Sequence, residues 1–244
     1  MSVFCASSSY LAVLLVCLCT VIIRYMVGIV DYNAGNIKSV ERALASLGAA
    51  YVLSKNPRDL EDCDRLIFPG VGEAKYAMEQ LRLIGFDSFL RDWAQAGKRL
   101  LGVCLGSQII FEHSEEGDTD CLGLIKGEIK HFSSVWAGME TAAAEAAAPR
   151  ASISLKVPHM GWNDLTFTNG GSALLAGVPE HSDVYFVHSY LIQPADASII
   201  KATANYGCIV PACVECGSIT AFQFHPEKSG AVGMQILKNY ISAE

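Results

Sequence analysis

Apolar residues fall along the chain in short unbroken runs, alternating with stretches in which they recur every three or four positions. The runs are too short for helices and are bounded by polar, Gly or Pro residues, so they predict buried strands at residues 27–31, 50–53, 65–68 and 99–103. The periodic stretches predict helices over 37–47, with Ile37, Val40, Leu44 and Leu47 on one face, and over 74–81 and 86–96. Pro69 and Gly70 are expected to stop the third strand, and a helix over 105–111 should follow the fourth directly. Strand and helix in alternation, joined by short connections, predict a parallel sheet with helices on both faces.

From residue 127 the rhythm changes. Strands are expected at 127–132, 184–190, 199–204, 209–214 and 219–224 with few helices between them, and a closing helix over 232–241. The fold class is therefore α/β: a mostly parallel central sheet covered on both faces, with an antiparallel or mixed extension in the C-terminal half. Residues 135–152 carry two alanine triplets ahead of Pro149 and almost no large apolar side chain to bury, so they read as a surface insertion.

Residues 1–25 stand apart. Positions 10–23 are uncharged and mostly apolar, which is short of the ~20 residues a bilayer-spanning helix takes. No Lys or Arg precedes them and no small-x-small cleavage pattern follows, as a signal peptide would need. The expectation is an extension outside the fold, with a single domain running from Met26 to residue 244 and located in the cytoplasm.

Composition narrows the function. With 244 residues, 51% hydrophobic and 18% charged, the chain can build a thick core, which excludes disordered, collagen-like and disulfide-knot classes. Its formal charge of -7 leaves no broad basic field for nucleic acid or an anionic membrane. Nine cysteines are present, three of them within residues 1–25, and the rest do not form a staple pattern. Cys213 and Cys216, with Cys208 nearby, lack a second close pair for a tetrahedral site and read as strand cysteines. No metal or cofactor is called for.

Chemistry enters at Gly102-Val103-Cys104-Leu105-Gly106, where a strand is expected to end and a helix to begin. Small residues two before and two after Cys104 allow a sharp turn that lifts the thiol above the sheet, as in a nucleophile elbow. A helix start there favours negative charge on the sulfur and aims the Leu105 N–H at a developing oxyanion. A thiolate nucleophile needs a proton shuttle. His113 is expected nine residues along the same helix, about 13 Å of rise away. His131 and His181 read as surface residues, and His159 and His188 lack an adjacent carboxylate. His225 has one: Pro226 biases it to an extended backbone, in which Glu227 shares its side and can orient the imidazole.

Gly-Val-Cys-Leu-Gly-Ser-Gln together with Phe-His-Pro-Glu-Lys-Ser resembles the class I, triad-type glutamine amidotransferases. Within that family, Asp31-Tyr32-Asn33-Ala34-Gly35-Asn36, Pro69-Gly70-Val71-Gly72, Val157-Pro158-His159-Met160-Gly161-Trp162-Asn163 and Tyr185-Phe186-Val187-His188-Ser189-Tyr190 are similar to the glutaminase subunits of imidazole glycerol phosphate synthase. The resemblance implies a catalytic triad of Cys104, His225 and Glu227, oxyanion donors from the Val71 and Leu105 amides, and glutamine contacts from Gly72 and Gln108. It also implies a (β/α)8-barrel cyclase subunit as partner in a heterodimer of histidine biosynthesis, with Asn36, Trp162 and Lys228 as candidate partner-facing residues. Three features depart from that pattern: Ser107 stands where Met is usual, the alanine-rich insertion is long, and the N-terminal extension is extra. A cysteine peptidase of similar fold is the rival reading, which would need an open cleft for a polymer.

Overall fold

A computed structural model describes residues 25–145 and 155–243. In chain order the strands are β1 (Met26–Val30), β2 (Ala50–Ser54), β3 (Arg65–Gly70), β4 (Arg99–Cys104), β5 (His113–Ser114), β6 (Thr119–Asp120), β7 (Gly127–His131), β8 (His159–Asp164), β9 (Thr166–Phe167), β10 (Asp183–His188), β11 (Tyr190–Pro194), β12 (Ile200–Asn205), β13 (Ile209–Cys216) and β14 (Ile219–Phe222). The helices are α1 (Ile37–Ser46), α2 (Ala74–Ile84), α3 (Phe86–Gln95), α4 (Leu105–Gln108), α5 (Phe132–Glu145) and α6 (Gly230–Ser242).

The four apolar runs of the first half form one side, from the β2 edge to β4, of an eight-stranded sheet ordered β2-β1-β3-β4-β14-β13-β12-β9. From β2 to β14 every pair is parallel, and β13, β12 and β9 extend the sheet antiparallel. The central strands are apolar on both faces because both are covered. Met78 and Leu81 of α2 and Phe86, Leu90 and Trp93 of α3 pack on one side; Val40 and Leu44 of α1 and Ile236, Leu237 and Tyr240 of α6 pack on the other.

Several elements differ from the sequence reading, each for a local reason. Strand β3 runs through Pro69 and Gly70; beyond Ile67 it pairs only with β4, so the missing proline N–H interrupts no ladder on the β1 side. The helix expected over 105–111 is the single turn α4, and the fully buried Ile109, Ile110 and Phe111 follow it in a turn and bend. The strand expected over 184–190 breaks at Ser189: β10 pairs with β8 in a two-stranded ribbon, while β11 joins β7, β5 and β6 in a separate sheet. The start of the supposed surface insertion is helix α5, where Phe132, Val135 and Trp136 pack with Leu191, Cys208 and Val210. Residues 146–154 and 1–24 lie outside the described residues.

The two ends of β3 have different surroundings. Its first residue, Arg65, is buried and donates to the Tyr240 and Ala243 carbonyls at the end of α6, with the Tyr25 ring 3.8 Å from its guanidinium carbon. Its last residue, Gly70, pairs with Cys104.

Candidate active site

Cys104 ends β4 with φ +54° and ψ -113°, a strained conformation for a residue with a side chain. The strain is held by close backbone packing. A Cβ on Gly106 would fall on the Phe68 carbonyl oxygen, and one on Gly102 would sit 2.9 Å from the Gly106 oxygen and the Ser107 Cα. Gly106→Ala is therefore expected to destabilise the fold by about 3 kcal/mol or more, since backbone rather than a side-chain tip must move; a denaturant midpoint close to wild type would contradict this. Only one helical turn follows the cysteine, so the dipole expected behind the thiol is that of α4 alone. Leu105 supplies a first-turn amide, which a helix leaves without an intrahelical acceptor.

His225 follows β14 at the carboxyl edge of the parallel strands, the edge where β3 and β4 also end. Its backbone is extended, as expected, but Glu227 reaches it through the 3-10 turn Pro226–Lys228 rather than along a continuing strand. Nδ1 of His225 lies 2.8 Å from Oε1 of Glu227, and both side chains are 2% exposed. Nε2 is buried and makes no hydrogen bond of ordinary geometry. Burial alone would push the imidazolium pKa down, but the neighbouring Cys104 sulfur and the Glu227 carboxylate outweigh it, and the pKa rises to about 9.

Cys104 and His225 share a cavity of about 280 Å³, at the small end of ligand pockets. Val71, Gly72, Leu105 and Gln108 line it too, so each residue assigned to oxyanion or substrate contact is at the same place. Gly70 beside Cys104 brings the 71–72 turn over the thiol, with Gly72 at φ +101°. Gln108 donates its amide nitrogen to the Tyr190 carbonyl at 2.8 Å and to Gln223 Oε1 at 2.9 Å, leaving Oε1 to offer a ligand.

Six further residues line the cavity without having been read as site residues, among them the polar Glu116, His188 and Tyr190. Glu116 is a partly buried carboxylate whose pKa is raised by burial, and its Oε2 accepts from the Ala74 amide. Nothing marks it in the sequence, because it reaches the cavity from the loop between β5 and β6. His113 lies on β5, not on a helix, and pairs with Asp118 at 3.0 Å, away from the thiol.

Trp162 and Met160 are more than half exposed on one face of β8, and the Trp162 ring lies 6.0 Å from Tyr185 on β10. Lys228 Nζ stands 5.9 Å from that Tyr185 ring. The two residues thus belong to one outer patch. Asn36 is separate, at the start of α1, where its side chain bonds Ser39 Oγ instead of capping a backbone amide. Cys213 is buried and Cys216 exposed at the end of β13, on opposite faces.

A family model described as glutamine amidotransferase class-I matches residues 28–243. The chain is 46% identical over 217 residues to imidazole glycerol phosphate synthase subunit HisH of Geobacillus kaustophilus, covering 88% of this chain and 96% of that one. It is 44% identical over 216 residues to the same subunit of Halalkalibacterium halodurans, covering 88% and 94%. A crystal structure of a glutamine amidotransferase superposes with a TM-score of 0.63 at 18% identity, over 89% of this chain and 99% of the other, a likeness of fold.

Proposed function

The chain belongs to the class-I glutamine amidotransferase family, and from that premise we propose that it is the glutaminase subunit of an imidazole glycerol phosphate synthase. It hydrolyses glutamine to glutamate and ammonia and passes the ammonia to a (β/α)8-barrel cyclase subunit in histidine biosynthesis. The observation that carries this reading is a thiol on a strained elbow sharing one small cavity with a buried, carboxylate-paired imidazole.

Cys104 attacks the side-chain amide carbon of glutamine, and the Leu105 and Val71 amides hold the oxyanion. His225, an imidazolium in the resting site, gives its proton to the departing nitrogen; ammonia leaves and a thioester remains. The imidazole, now neutral, takes a proton from water as the hydroxyl attacks the thioester, and keeps it while the sulfur leaves as thiolate, so that release of glutamate restores the starting thiolate and imidazolium. Glu227 keeps the proton on Nδ1, so that Nε2 does both transfers. Gly72 and Gln108 contact the bound glutamine, and the Glu116 carboxylate can receive its α-ammonium group. The small cavity favours an amino acid over a polymer. Glutamine-dependent synthesis of imidazole glycerol phosphate by the purified pair, against no hydrolysis of peptides, is the test.

Free ammonia in neutral water is protonated and lost as a nucleophile, so release must be tied to a docked partner. The outer patch of exposed Trp162 with half-buried Tyr185 and Lys228, together with the separate Asn36, is where we propose that this partner docks. Lys228→Glu is expected to weaken docking or glutamine-dependent synthesis about tenfold or more, as for a desolvated interface charge, while Cys104 still reacts with a glutamine-like electrophile; wild-type synthesis would show Lys228 to be merely solvated. We also propose the cytoplasm as its compartment; among the described residues the six cysteines are free and no helix is long and apolar enough to cross a membrane.

A further inference from the structure

The cavity wall includes one of a pair of histidines that the triad does not use, His188, with His159 behind it. His159 opens β8, His188 ends β10, and the two are cross-strand partners, both buried. His188 Nδ1 is 2.7 Å from the Tyr190 carbonyl, an acceptor only, so the proton sits on Nδ1 and Nε2 is left as an acceptor. His159 Nδ1 lies 2.9 Å from that Nε2 and must therefore be the donor. Its own Nε2 accepts from Asn163 Nδ2 at 3.2 Å. Each ring nitrogen is engaged, and neither ring has a proton to give a substrate. Among the described residues no carboxylate bonds either ring, and burial pushes their pKa values down to about 4 and about 3, so both are neutral when His225 is charged.

The string has defined ends. At one end the Tyr190 carbonyl also accepts from Gln108, and both residues line the cavity with Val187 and Ser189. At the other end is β8, which presents Met160 and Trp162 outward on the alternate face from His159 and Asn163. A two-stranded ribbon is marginal alone. A fully satisfied buried polar network gives it one fixed arrangement, and the Phe186 and Tyr206 rings stacked on His159 at 4.6 and 4.1 Å allow little else.

We propose that His159 and His188 are positioning residues: an uncharged hydrogen-bonded string that ties the outward-facing strand β8 to the Tyr190 carbonyl and Gln108, and so fixes the wall at residues 187–190 against which glutamine is held. The inference rests on the cavity being a glutamine site.

The test uses the full chain together with the cyclase subunit. Nitrogen-15 NMR of labelled histidines should show both rings neutral and protonated at Nδ1; a proton on Nε2 of either ring overturns the string without any variant having to fold. His188→Leu should raise KM for glutamine about tenfold or more, while alkylation of Cys104 by iodoacetamide, which needs no wall, stays within about threefold. His188→Asn, whose amide nitrogen can replace Nδ1 at the Tyr190 carbonyl, should recover most of the loss. An unchanged KM in His188→Leu, a rise that Asn does not recover, or alkylation falling in step with KM would each overturn the positioning role. Wild type hydrolysing no glutamine in the complex would instead strike the glutaminase reading, and the NMR and alkylation results would still judge the string.

Discussion

Cys104→Ser is expected to cut glutamine-dependent synthesis by the paired subunits at least about 10⁴-fold, as nucleophile losses in triads do, while synthesis from an ammonium salt continues at a pH that supplies free ammonia. The substitution keeps the side chain's size on a buried elbow, so the fold should be untouched. It exchanges a thiol that ionises readily for a hydroxyl that almost never does near neutral pH, so no thioester forms. A second readout comes from His225. Its pKa of about 9 stands against burial because of the Cys104 sulfur and Glu227 together, so loss of the sulfur must lower it. NMR titration of the His225 ring measures that fall directly. Glutamine hydrolysis near the wild-type rate would sink the nucleophile assignment, and loss of the ammonia route in an intact complex would mean that Cys104 does more than make ammonia.

Glu227→Gln should cost about 10²- to 10⁴-fold in glutamine hydrolysis, the range in which an orienting carboxylate acts in triads. The wild-type pair is almost wholly buried at 2.8 Å, and the charge as well as the acceptor matters there. A glutamine amide can turn its NH2 toward Nδ1, moving the ring proton to Nε2 and leaving no base facing the sulfur. Removing the carboxylate also removes a cause of the raised His225 pKa, so the imidazolium needed for ammonia departure is lost at lower pH. The alkaline limb of the kcat/KM profile must then move to lower pH. A limb that stays in place, or moves up, would show that Glu227 does not support the imidazolium.

The parallel half of the fold was legible because its strands are buried on both faces: runs such as Leu66, Ile67 and Phe68 admit few other structures. The meeting of Cys104, His225 and Glu227 was legible because they lie in short local patterns, a turn with glycines around Cys104 and a two-residue step from His225 to Glu227. What escaped depends on distant pairing. β8 carries Gly161 and alternates exposed Met160 and Trp162 with buried His159, and it is a strand only because β10 lies beside it. Glu116 and the His159–His188 contact bridge segments far apart in sequence, and no spacing encodes them. The helix expected over 105–111 ends early at Ile109, Ile110 and Phe111, which are buried against partners that their own sequence does not name.

β3 gives one strand two separate duties. At its Gly70 end there is no slack: the neighbouring backbones already touch, and the chemistry depends on their fit. At its Arg65 end, six residues along the strand by inclusive count from Arg65 to Gly70, the side chain fastens the last helix and has no reacting atom near it. Heat tolerance and turnover are thus open to separate improvement in this protein. Repacking around Arg65, Tyr25 and Tyr240 is the direction in which an engineer or a lineage can gain the first without spending the second.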